Sequence, residues 1–158
     1  MLLSSLAALI SVAVLVTASP AARDVGVCTG EVVVSETFIG EEKNVKLQHV
    51  SCPVAPTVAK RAIAPRQTSD VCGNACETNC FSSGSEPTSN DCHVIADALR
   101  FQSQNESALF EIETGVNNTV VLTFETCTTF YVNQDPFDQL YCRTDWATLV
   151  DFASHVLS

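Results

Sequence analysis

The order of apolar and polar positions divides the chain into stretches of different period. Residues 6–16 are almost continuously apolar (Leu6 to Val16). Glu31-Val-Val-Val-Ser-Glu-Thr-Phe-Ile39 is rich in β-branched residues, ends at the turn signal Gly40-Glu-Glu, and is followed by a second extended stretch, Asn44 to Val50. That pattern predicts a β-hairpin. Pro53 to Ser69 carries prolines and no alternation, so it reads as a linker. Beyond it the period changes to helical. Cys92, Ile95, Ala96 and Leu99 fall at i, i+3, i+4 and i+7, with Asn90 or Asp91 as the cap, leaving His93, Asp97 and Arg100 off the apolar stripe.

Alternation then returns. Leu109 to Glu113 places Phe110 and Ile112 on one face, and a turn at Gly115–Asn118 leads to a strand with Val120, Leu122 and Phe124 aligned. Cys127 to Val132 is a third strand, and Asn133 to Tyr141 reads as a loop. A last helix is predicted with Thr144 as cap and Trp146, Leu149, Val150, Ala153 and Leu157 as its apolar set. The expected fold class is α+β: a small disulfide-stapled sandwich of antiparallel strands with two helices.

The leading apolar run, followed by Val16 and Ala18 at the −3 and −1 positions of a cut after Ala18, marks residues 1–18 as a signal peptide. No Lys or Arg precedes the run, and an uncleaved anchor is the rival reading, although a span needs ~20 apolar residues. Residues 19–52 form the β-rich segment, 53–69 a Pro/Ala-rich linker and 70–158 the disulfide-rich α+β domain. The linker contains the dibasic pair Lys60-Arg61, a candidate processing site that makes residues 19–61 a candidate pro-segment.

Eight cysteines, Cys28, Cys52, Cys72, Cys76, Cys80, Cys92, Cys127 and Cys142, fit a secreted chain as a disulfide framework. A Cys28–Cys52 bridge is expected to close the hairpin. The spacing Cys72-x-x-x-Cys76-x-x-x-Cys80 offers metal binding as the alternative, but no Cys-x-x-Cys pair is present. The sequons at Asn105 and Asn117 fall in predicted loops and are candidate glycosylation sites.

The formal net charge is −10. All of it arises after Arg61, where three basic residues face thirteen acidic ones. That balance argues against nucleic-acid binding and against an anionic membrane surface once the signal is removed. A hydrolase needs a nucleophile or an acid–base pair, and the chain has three histidines, His49, His93 and His155. His93 with His155 is the candidate catalytic pair. Glu111 with Glu113 reads as a solvated strand face before it reads as a glycosidase or calcium pair. Asn133, Asp135 and Asp138 lack the ligand order of a calcium loop. Trp146, Tyr131 and Tyr141 are candidates for a sugar-stacking platform, although Trp146 belongs to an apolar helix stripe.

Asn90-Asp-Cys-His-Val-Ile-Ala-Asp-Ala-Leu-Arg-Phe-Gln-Ser-Gln-Asn105, Phe124-Glu-Thr-Cys-Thr-Thr-Phe-Tyr-Val-Asn133 and Tyr141-Cys-Arg-Thr-Asp-Trp-Ala-Thr-Leu-Val150 together resemble small cysteine-rich secreted proteins of fungi. More loosely, they are similar to killer-toxin-like and necrosis-inducing effector domains. The resemblance implies a disulfide-held α/β sandwich with no cofactor, acting as an effector or toxin on an extracellular protein or glycan. It supplies no catalytic residue. Many toxins of this kind are basic, whereas this domain is acidic. Two functional classes follow: a non-catalytic interaction protein released by cleavage after Arg61, or a small secreted hydrolase using His93 and/or His155. Oligomeric state is left open.

Overall fold

The computed structural model describes residues 28–52, 68–76 and 86–156. Ala18, Lys60, Arg61 and Cys80 lie outside them, as does Leu157 of the expected helix stripe. The fold is α+β, as the patterning predicts, with two helices, two sheets and three disulfides among the described residues.

Strands β1 (Val32–Ile39) and β2 (Val45–Ser51) form the expected antiparallel hairpin, with Val33 opposite Val50 and Ile39 opposite Val45. Cys28–Cys52 closes it. Strand β3 (Thr68–Asp70) is followed by helix α1 (Ser89–Asn105), strand β4 (Leu109–Ile112), a 3-10 turn at Gly115–Asn117, and strands β5 (Thr119–Phe124) and β6 (Cys127–Val132). Strand β7 (Asp138–Cys142) runs directly into helix α2 (Arg143–Val156).

One sheet has the order β1-β2-β5-β6 and is antiparallel throughout; the other has the order β3-β7-β4. The second sheet departs from the all-antiparallel expectation, because β3 pairs parallel with β7 while β4 pairs antiparallel with it. Strand β5 is buried from Thr119 to Leu122 on both faces, as suits a strand with neighbours on either side.

The hairpin does not stand apart from the rest of the chain. Strand β2 pairs with β5, Leu47 facing Leu122 and His49 facing Val120, and Ile39 and Val45 join the main core with Ile95, Leu99, Ile112 and Trp146. Gly40 turns the hairpin at φ +93°, and a Cβ there would meet the Ala98 Cβ of α1 at 3.0 Å. This turn therefore requires glycine twice over, for its backbone and for its contact.

Three elements differ from the sequence expectation. Helix α1 starts at Ser89 with Thr88 as its N-cap, ahead of Asn90 and Asp91. Asp91 instead bonds the β5–β6 turn, accepting from the Thr126 amide at 3.1 Å. Helix α2 starts at Arg143, so Thr144 stands inside its first turn. Strand β7 takes the last four residues of the expected loop from Asn133 to Tyr141. Its first residues, Asp138 and Gln139, are polar yet buried, which hides the strand from hydropathy.

Cys72–Cys142 ties the segment after β3 to the β7–α2 junction, and Cys92–Cys127 ties α1 to β6. Cys76 is a free thiol among the described residues. No helix among these residues is long and apolar enough to cross a membrane.

Candidate functional site

Two features carry functional interest: a polar cluster between the helices and the outer edge of β1. The cluster begins with Ser89, in the first turn of α1, whose Oγ lies 3.3 Å from His93 Nε2 one turn later. His93 Nδ1 lies 2.7 Å from Asp151 Oδ1 on α2. Arg100 donates to the other oxygen of Asp151 and, at 3.1 Å, to Asp97. His155 stacks edge-on to His93 with ring centroids 5.3 Å apart.

Helix packing builds this arrangement. The apolar stripe of α1 fixes its rotation, and His93, Asp97 and Arg100 fall beside the stripe where α2 runs past. Burial pushes the Asp151 carboxyl up, but the bonds and charges of Arg100 and His93 outweigh it and hold that group below the usual carboxylate range. The Asp151 bond in turn raises Arg100 above its ordinary value, against desolvation.

Ser89, His93 and Asp151 thus stand in the order nucleophile, base and orienting carboxylate. The expected pair of His93 and His155 is brought together, while Ser89 and Asp151 were not among the sequence candidates. Their i, i+4 spacings to His93 and His155 place each pair on one helix face, and only the packing of α1 on α2 joins the two pairs. The setting differs from a hydrolase site. His93 is 39% exposed, Arg100 shares the Asp151 carboxylate, and the two cavities described below do not reach Ser89 or His93.

The other chemical candidates resolve as structure. Trp146 and Tyr141 are buried, with Trp146 stacked on Phe110 and bonded to Thr129 Oγ1 at 3.0 Å. They present no face to a sugar. Burial raises Tyr131 to about 12, and raises Tyr141 further with help from Cys76, whose thiol lies 3.3 Å from its hydroxyl. Asn133 is buried and donates to the carbonyls of Ile112, Glu113 and Phe137 while accepting from the Asp135 amide. Asp138 accepts from the Thr114 amide at 2.8 Å. These side chains pin loops together. Among the described residues the one cluster with metal-ligand spacing is Cys72, Cys142 and Asp145, and its two sulfurs are bonded to each other. Glu111 is exposed on β4, and Glu113 accepts from Asn117 at 3.3 Å. Asn105 is exposed at the end of α1 and bonds Phe101 O, so this sequon sits on a helix end and not in a loop; Asn117 lies half-buried in the 3-10 turn.

Strand β1 is the second feature. It is an outer strand of its sheet, and over eight residues it exposes Val32 (62%), Val33, Val34 (55%) and Phe38 (50%). A bulge interrupts its pairing with β2 between Val33 and Ser35. Its outer row of ladder groups has no strand partner among the described residues. Nearby, one cavity of about 270 Å³ is lined by Val34, Ser35, His49, Glu113 and Asn117. Another, of about 280 Å³, opens where β2, β5, β4 and the start of α2 meet, with His49, Phe110, Glu111 and Arg143 in its wall.

No family model, curated protein or solved structure matches this chain.

Proposed function

We propose that this chain is a secreted, non-catalytic interaction protein, effector-like or toxin-like, that binds an extracellular partner protein along β1. The observation that carries the reading is the apolar, outward-facing edge of that strand. Natural sheets blunt their edges with short strands, charge or proline, because an open ladder recruits further strands. Here an eight-residue strand keeps three successive valines and a phenylalanine in solvent. An extended segment of a partner adds to such an edge through main-chain bonds, with alternate side chains giving specificity. A glycan offers no matching ladder, and Trp146 and Tyr141 are buried away from it.

Three disulfides and the acidic composition suit a small domain working in an oxidising, extracellular setting. Cleavage after Arg61 belongs to this reading as a maturation step.

The test uses secreted protein applied to target cells, scoring growth inhibition or cell death. Val33→Lys with Phe38→Lys is expected to abolish the effect while circular dichroism and melting stay unchanged. His93→Ala with His155→Ala is expected to leave it intact. The in-line Ser89, His93 and Asp151 favour the second reading, a small hydrolase. If the edge variant remains active and Ser89→Ala or His93→Ala abolishes ester or peptide turnover, that second reading replaces the first.

A further inference from the structure

We propose that the cavity beside Arg143 is a binding site for a small monocarboxylate with an apolar tail. It goes beyond the β1 reading and does not depend on it. The cavity lies where the two sheets and α1 come together. Leu47, Leu99, Phe110 and Val120 supply its apolar wall, so a hydrocarbon group entering it leaves water for a surface already built. At about 280 Å³ it would hold about nine water-sized atoms, and a drug-sized molecule is excluded.

The charge pattern selects the head group. Arg143 is half-buried, and no carboxylate lies within ion-pair distance of it among the described residues, although its half of the chain is strongly acidic. It is the first residue of α2, where the helix dipole is positive and a cation is disfavoured. Its Nη1 donates to Ser107 O at 2.7 Å and Leu109 O at 2.8 Å, and its guanidinium lies over the Phe110 ring at 5.4 Å. Those bonds occupy the two protons of Nη1. The Nη2 and Nε donors have no partner among the described residues, and that edge is the one a carboxylate meets with two parallel bonds. Burial lowers Arg143 from its ordinary value, and the negative charge of Glu106, beyond ion-pair distance, offsets this only in part. His49 adds a further polar group to the wall. Glu111 also lines the cavity, and its carboxylate opposes a second anion.

The experiment is a titration of the ¹⁵N-labelled full secreted chain with octanoate, followed by amide shifts, with octanol as the uncharged control. Saturable shifts centred on Leu47, Leu99 and Val120 are expected with octanoate, and at least tenfold weaker binding with octanol. Arg143→Gln is expected to weaken octanoate tenfold or more. Arg143 also holds two carbonyls of the α1–β4 connection, so Glu111→Gln provides an independent variant at an exposed position, expected to tighten octanoate about threefold through relief of like-charge repulsion. Failure to saturate by 10 mM, shifts centred elsewhere, equal binding of octanol, or an unchanged affinity in Glu111→Gln each overturns the assignment.

Discussion

Asp151 links the two helices through a carboxylate that receives both Arg100 and His93. Because its folded pKa is lowered, its contribution to stability is complete above the unfolded aspartate value of about 3.9 and is lost as pH falls through the folded value. Asp151→Asn is expected to cost about 1 kcal/mol at pH 7, in the range of partly exposed pairs because His93 and Arg100 are each 39% exposed. Urea titrations at pH 7 and pH 2.5 check this, since the gap between variant and parent should narrow at the lower pH. Asn133 is a different kind of pin. Its amide joins three backbone carbonyls in a buried position, so Asn133→Ala is expected to cost about 3 kcal/mol, seen as a lower urea midpoint with unchanged slope. Nothing in the sequence around Asn133 distinguishes it from an ordinary loop asparagine, because its partners are main-chain atoms brought in from the end of β4, the residue after it and the residue before β7.

Elements with a clean period were legible in the sequence, and those held by unlike neighbours were not. The hairpin, α1, β4 to β6 and α2 follow from β-branched runs, alternation and helical spacing, all of which are set by neighbours along the chain. Strand β7 escaped notice since Asp138 and Gln139 are buried by bonds to Thr114, Tyr131 and Asp135 and not by apolar contact. Strand β3 is three exposed residues defined only by parallel pairing with β7. The helix-to-helix cluster was half visible: His93 and His155 stood out as rare residues, whereas Ser89 and Asp151 gain meaning only across the α1–α2 contact. Disulfides set the element ends. Cys92–Cys127 spans 35 residues and joins two buried sulfurs, so Cys92→Ala with Cys127→Ala is expected to cost roughly 4 kcal/mol by the loop-entropy relation, read from denaturant unfolding.

At the scale of the whole molecule, the three bridges among the described residues divide at the linker. Cys28–Cys52 lies entirely before it, and Cys72–Cys142 and Cys92–Cys127 entirely after it. Across that divide the hairpin is attached by the β2–β5 ladder and by Ile39 and Val45 in the shared core. Cutting after Arg61 with a dibasic-specific protease is therefore expected to nick the molecule without releasing residues 62–158. The two pieces should co-elute on size exclusion and separate in SDS without reductant. Elution of the larger piece alone would show that the ladder does not hold them. The same arrangement makes the hairpin a removable part. A unit that carries its own staple and docks by a strand ladder and two core side chains can be traded between two copies of the chain. Each copy would then complete its neighbour's sheet with the contacts it uses for its own, and a domain-swapped dimer is the form to look for when the protein is concentrated or refolded.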